Sequence, residues 1–322
     1  MKRFIFILLA VACLSVTAQP QPAQTGRVIQ NDPSKYRPLT AVHAGAGKMA
    51  FTQLIGRTEL SSTNFLYLHS GVIEPKSGIG HHFHHNIEEM FVLLSGEAEF
   101  TINGRTAKIK APAIVPCKMG NSHAIYNASD EPVRWMNFAV ALNKGRADNF
   151  DLGDTRVGAT LDAIPTFVSG RLEKEKARPN NPAFAGTGVL YRRIFGPEVF
   201  TTNWDHVDHV IIPAGSTATR SLEGVEEIYF VVKGSGSVTI NSAKTAFKPE
   251  AAIYGLLGEK VSLANEGTDD VELLVVGVSV DKQKSPSQVR FPVAPQAIAL
   301  QMDFVVAKEN AEAFEKMYYS IY

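Results

Sequence analysis

The chain has 322 residues, 32 of them basic and 32 acidic, with 45% hydrophobic and 20% charged side chains, 25 Gly and 17 Pro. A formal net charge of zero argues against nucleic acid or an anionic membrane as partner, and the apolar content argues against general disorder. The length suits two domains of ordinary size, each burying its own core.

The chain opens MKRFIFILLAVACLSVTAQ, with Lys2 and Arg3 before an apolar run and the small-residue site Val16-Thr17-Ala18. This reads as a secretory signal over residues 1–18, so the mature protein is expected to be exported, periplasmic or extracellular, with no membrane span. A lipoprotein signal cut before Cys13 is the rival reading, against which Ala10 stands where such signals usually carry Leu. Without residues 1–18, 30 basic residues face 32 acidic ones and Cys117 is the one cysteine left, so an internal disulfide is impossible.

Residues 38–142 read as a first antiparallel β unit. Residues 97–102 alternate in polarity and run into Asn103-Gly104, a hairpin signal, and then into a second alternating stretch. The apolar run from Met90 to Leu94 suits a strand covered on both faces, and helical periodicity is absent between residues 60 and 140. Two segments carry chemistry, GHHFHHNIEEMFVLLSG from Gly80 and PCKMGNSHAIYN from Pro116. On a strand, His82 and His84 point to one face, Glu89 can return a carboxylate to the same interior, and His123 arrives from a separate strand. Three neutral imidazoles and a carboxylate suit one divalent transition metal (Fe, Mn, Ni, Cu or Zn), and an octahedral ion would keep two positions for water or substrate.

Glu88 is the competitor of Glu89, and strand alternation favours Glu89. His81 and His85 are out of phase with the ligand pair and are expected at the rim. Phe91, Leu93 and Ile125 follow the ligands at steps of two and are expected to make the pocket apolar. His69 reads as a satisfied structural histidine, Asn127 as a strand-end residue and Cys117 as a small buried one.

Residues 143–187, rich in charge, Pro and Asn, read as an inter-domain connection, part of which is expected to pack on a barrel. Residues 188–285 repeat the first unit. At a shift of 138 positions, Ile73 and Pro75 meet Ile211 and Pro213, Glu88-Glu89 meets Glu226-Glu227, and Thr101-Ile102-Asn103 meets Thr239-Ile240-Asn241. The same shift puts Arg220, Leu222, Glu227 and Val261 at the places of His82, His84, Glu89 and His123. This second barrel is therefore expected to be metal-free, with Arg220 paired to the surviving Glu227. His206 and His209, with Asp205 and Asp208, form a local polar cluster whose spacing of three does not suit one strand face. The tail, 286–322, reads as a strand and a helix. It resembles the opening of the small ferredoxin-like monooxygenase family, the alternative being a strand and helix that close the second barrel.

The motifs resemble the cupin superfamily. Its first motif, H-x-H, three or four residues, Glu, six residues, Gly, is met by His82, His84, Glu89 and Gly96, and the end of its second, G-x-x-H-x-x-x-N, by Gly120, His123 and Asn127. A departure lies before Gly120, where three residues follow Pro116 in place of the family's one. The resemblance implies an all-β fold of two double-stranded β-helix (jelly-roll) barrels in tandem, similar to quercetin dioxygenase-like and oxalate decarboxylase-like cupins. It implies a dioxygenase-type oxidoreductase acting on a small, apolar or aromatic substrate, with Glu89 or a nearby carboxylate as catalytic proton acceptor and a possible homodimer through the barrels. Two alternatives stay open: a non-redox isomerase, lyase or hydrolase of a sugar or small acid, and a binding protein with a structural metal.

Overall fold

The structure, a computed structural model, describes residues 26–179 and 183–287, so the expected leader and the expected tail strand and helix lie outside the described residues. It is all-β: two barrels in tandem, each a seven-stranded sheet facing a smaller one. In the first, the large sheet runs Gly170–Arg171, Ala113–Cys117, Ile87–Leu93, Val133–Ala141, Phe65–Ile73, Lys48–Gly56, Arg37–Thr40. Its five-stranded partner runs Phe150–Asp154, Ser77–Phe83, His123–Asn127, Glu97–Ile102, Arg105–Lys110. The second barrel repeats this around Val271–Ser279 with a four-stranded partner sheet. Strands cross the expected unit boundaries. Val28–Gln30 pairs on the second barrel, and Phe150–Asp154, from the connection, pairs on the first.

The apolar strands have two dry faces because they separate two cores. Phe91 and Leu93 point into the first barrel with Phe100, Ile125 and Trp135, whereas Met90 and Val92 point out into an apolar cluster shared with Ile228, Phe230 and Trp204 of the second. The large sheets thus pack face to face, and each such side chain removed from water stabilises the tandem by ~1.5–3 kcal/mol. Asn103-Gly104 makes the expected tight turn, both residues having positive φ (49° and 77°).

Glu88 lies fully buried on this outer face, where it accepts hydrogen bonds from the Thr201 and Thr202 N–H groups and the Thr202 hydroxyl of the other barrel. Glu226 reciprocates, accepting from the Thr63 N–H and hydroxyl. The outer glutamate of each Glu-Glu pair is thus a tie between barrels.

The repeat departs from its gapless sequence register in one place. Ile73 lies opposite Val133, and it is Ile212, not Ile211, that lies opposite Val271. Asn127 and Asn265 fix the same correspondence, donating from their side-chain amides to the Ile73 and Ile212 carbonyls. The first barrel recovers the register by a β-bulge. His82 pairs with His123 and Ile79 with Ile125, so Gly80 and His81 together oppose Ala124. The second barrel pairs without a break from Ala218–Leu263 to Arg220–Val261. A bulge re-aims the residues after it, and the next residue here is His82.

Candidate metal centre

The strand Ser77–Phe83 delivers His82, with His84 just beyond its end, Ile87–Leu93 delivers Glu89, and His123 begins the strand His123–Asn127. All four are buried, and one donor atom from each lies within 4.8 Å of every other. Glu89 Oε2 is 2.9 Å from His123 Nε2, 3.4 Å from His84 Nε2 and 3.9 Å from His82 Nε2. Each imidazole is turned by its other nitrogen: Nδ1 of His82 bonds the Gly80 carbonyl at 2.7 Å, that of His84 the Asp148 carbonyl, and that of His123 the Asn121 carbonyl at 3.4 Å. A ring held by Nδ1 at a carbonyl turns its Nε2 inward, so three Nε2 atoms converge beside one carboxylate oxygen, which His123 Nε2 meets in a hydrogen bond.

Glu89 is oriented in the same manner. Its Oε1 accepts from the Tyr67 hydroxyl and from Asn137 Nδ2, both at 2.6 Å, which leaves Oε2 for the centre. Burial alone would raise the carboxyl, but hydrogen bonds and charge from His123 and His84 hold it well below its ordinary range. Burial drives His82 down to about 2, so it is neutral. Burial opposes charge on His84, but the nearby Glu89 carboxylate and the Asp148 carbonyl outweigh it and draw its pKa upward. His84 Nε2 is nonetheless a buried nitrogen with no hydrogen-bond partner. An unmet buried nitrogen within a three-imidazole, one-carboxylate set fits a divalent transition metal.

Of the expected pocket residues, Phe91 stands 6.1 Å from the His123 ring, while Leu93 and Ile125 are buried in the same interior cluster. The half-buried residues beside the centre are on other strands. Tyr67 stacks on His69 at 4.0 Å, and Phe51 lies 4.7 Å beyond. Burial lowers His69 to about 4, so this wall is uncharged. His81 is buried and faces Asp154 at 3.4 Å, against the rim position expected for it, because the edge strand Phe150–Asp154 covers it. Cys117 is buried, and burial pushes its thiol well above the ordinary range. Sequence reasoning missed Tyr67, Asn137, Asp148 and His43; the one available signal was the step of two between Tyr67 and His69.

In the second barrel Arg220 Nε lies 2.6 Å from Glu227 Oε1, the pair expected from the sequence. His206 joins it at 3.2 Å and donates from Nδ1 to Asp205 at 2.7 Å, while Arg193 Nε meets Asp208 at 3.0 Å. His206 and Asp208, two apart, face inward, whereas His209 faces Glu272. Opposite His206 stands Gly277, where a Cβ would sit 2.1 Å from the ring. Burial opposes charge on His206, but the Asp208 and Glu227 carboxylates and the bond to Asp205 outweigh it and raise its pKa to about 8. Three carboxylates thus meet two guanidiniums and an imidazolium, and Leu222 and Val261 complete an interior with no imidazole donors at the first barrel's ligand places.

Residues 70–139 match the cupin domain family. The oxalate-binding protein of Thermotoga maritima is 24% identical over 118 residues, 37% of this chain and 97% of that protein. Among solved structures, oxalate decarboxylase from Bacillus subtilis is similar with a TM-score of 0.55 at 13% identity, covering 80% of this chain and 79% of that one. A salicylate 1,2-dioxygenase variant from Pseudoaminobacter salicylatoxidans in complex with gentisate gives 0.51 at 16%, covering 71% and 74%. Residues 70–139 thus form a cupin domain, within the first of two barrels that share one all-β fold.

Proposed function

We propose that this protein is an exported, metal-dependent oxidoreductase of the dioxygenase type, acting on a small planar organic substrate. The observation that carries the reading is the placing of the half-buried Tyr67, His69 and Phe51 beside a buried three-histidine, one-glutamate centre. His82, His84, Glu89 and His123 would hold the ion. When bound, a redox-active metal supplies Lewis acidity and electron transfer between substrate and O₂. Tyr67 and Asn137 fix Glu89 Oε1, so Oε2 is the carboxylate oxygen available to a substrate hydroxyl proton. The neutral rings of the wall offer stacking faces to an aromatic body. Residues 1–18 would deliver the protein to an oxygenated compartment.

A second reading is favoured by the similarity to an oxalate-binding protein and an oxalate decarboxylase, whose solved structures include one concerned with Mn(II) centres. In it the centre acts on a small acid without O₂. An oxygen electrode with metal-loaded protein and a panel of catechols, flavonols and hydroxybenzoates tests the first reading. Oxygen uptake that is lost in His82→Ala supports it; conversion of oxalate or another small acid under strict anaerobiosis replaces it with the second.

A further inference from the structure

The connection between the first barrel's strands Arg37–Thr40 and Lys48–Gly56 contains a hook with an unusual backbone. Ala41, His43 and Ala44 all have positive φ (52°, 51° and 57°), a conformation that costs non-glycine residues free energy and persists only where surrounding contacts impose it. Those contacts are backbone against backbone. A Cβ on Gly80 would lie 2.0 Å from the His43 carbonyl oxygen, and one on Gly45 would lie 2.3 Å from that of Gly78, so glycine at these places lets the hook rest on the bulged strand. The result is a ring on a ring. His43 stacks on His82 with centroids 3.8 Å apart and planes within 5°. From its other side, His43 Nδ1 meets Asp151 Oδ1 at 2.6 Å, and Asp151 is the residue paired with His82 across the edge strand.

We propose that His43, held by Asp151, is a positioning residue for His82, fixing the orientation of that ligand ring and so the affinity and coordination geometry of the centre. The inference rests on the metal-centre reading above. His82 follows the bulge directly, and among the described residues the one hydrogen bond its ring makes runs from Nδ1 to the carbonyl of Gly80, two residues away and on the same bulge. The hook constrains both parts, because the His43 ring covers His82 and the His43 backbone covers Gly80. Groups that orient a ligand imidazole typically change metal affinity by about 10- to 100-fold when removed.

The test compares wild-type protein with His43→Ala, His43→Phe and Asp151→Asn. Mn(II) affinity is measured by chelator competition, and coordination geometry by the visible spectrum of the Co(II)-loaded protein. His43→Ala is expected to weaken Mn(II) by about 10-fold or more and to alter the Co(II) bands. His43→Phe, which keeps a stacked ring, is expected to recover most of the affinity. Asp151→Asn, on an edge strand, is expected to fold and to weaken binding severalfold, which keeps the test alive if His43→Ala does not fold. Wild-type affinity and spectrum in His43→Ala, a His43→Phe no better than His43→Ala, or an unchanged Asp151→Asn would each overturn the proposal. Absence of Mn(II) and Co(II) binding by the wild-type protein would instead overturn the metal centre itself.

Discussion

The two barrels place Glu89 and Glu227 at the same point of the same fold and surround them with opposite chemistry. In the first barrel the glutamate faces three imidazole nitrogens and keeps one oxygen free of hydrogen bonds from the wall. In the second, a guanidinium 2.6 Å away and the His206 ring occupy the carboxylate, and Tyr229 donates to its other oxygen. A buried carboxylate must be compensated, and the fold offers two solutions: an ion taken from solution, or cations supplied by the chain. On the proposed reading, the first leaves a site open to chemistry. The second is closed, with its charges balanced internally.

The largest effect that tests this contrast is loss of the ion. His123→Ala and His82→Ala should each reduce bound metal after dialysis from about one per chain to near zero, since water readily competes for a three-ligand remnant; elemental analysis reads the outcome. Next is Arg220→Met, which takes the guanidinium from the fully buried Glu227 and leaves it only His206 and Tyr229. It should cost about 3–5 kcal/mol in urea unfolding, with the metal content of the first barrel unchanged. A loss below about 1 kcal/mol would mean that the internal cation does not carry the compensation.

Smaller effects sharpen the account. Glu88→Gln should keep the metal, because this carboxylate faces Thr201 and Thr202 of the other barrel, and should cost about 1–3 kcal/mol through weakened buried hydrogen bonds. Metal loss in this variant would show that the two glutamates have been assigned the wrong way round. His206 gives the pH dependence of the second barrel. Its folded pKa of about 8 lies above the ordinary 6.5, so its contribution is fully present below pH 6.5 and is lost as pH rises through about 8. The loss should be on the order of 2 kcal/mol in metal-free protein. His206→Gln should flatten that part of the stability–pH curve; an unchanged slope would place the titration elsewhere.

Much of this was legible in the sequence, and the misses have definite causes. Strand periodicity and the hairpin at Asn103-Gly104 carry the barrel fold, and the positions of His82, His84, Glu89 and His123 are enough to bring them to one interior. The Arg220–Glu227 pair followed from charge compensation alone. The bulge was hidden because Ile73 and Pro75 match Ile211 and Pro213 by residue type while the strands pair one position later. His43 carries no periodic signal, since it acts from a strained hook whose position depends on glycines more than thirty residues away. The role of Glu88 was within reach: its counterpart Glu226 persists in a barrel without the histidine ligands, so the outer glutamate serves something other than metal. The inward pair is His206 and Asp208, two apart, and the spacing of three between His206 and His209 hides it because those two rings face opposite ways.

The central claim is that one fold, used twice, holds an ion in one copy and an internal cation in the other. Anomalous diffraction from crystals of the Mn(II)-loaded protein, collected on both sides of the manganese edge, tests it most directly. The account predicts one peak per chain, bounded by His82, His84, Glu89 and His123, and none beside Glu227. A peak beside Glu227 and Arg220, or no peak among the three histidines at full Mn(II) loading, would contradict it.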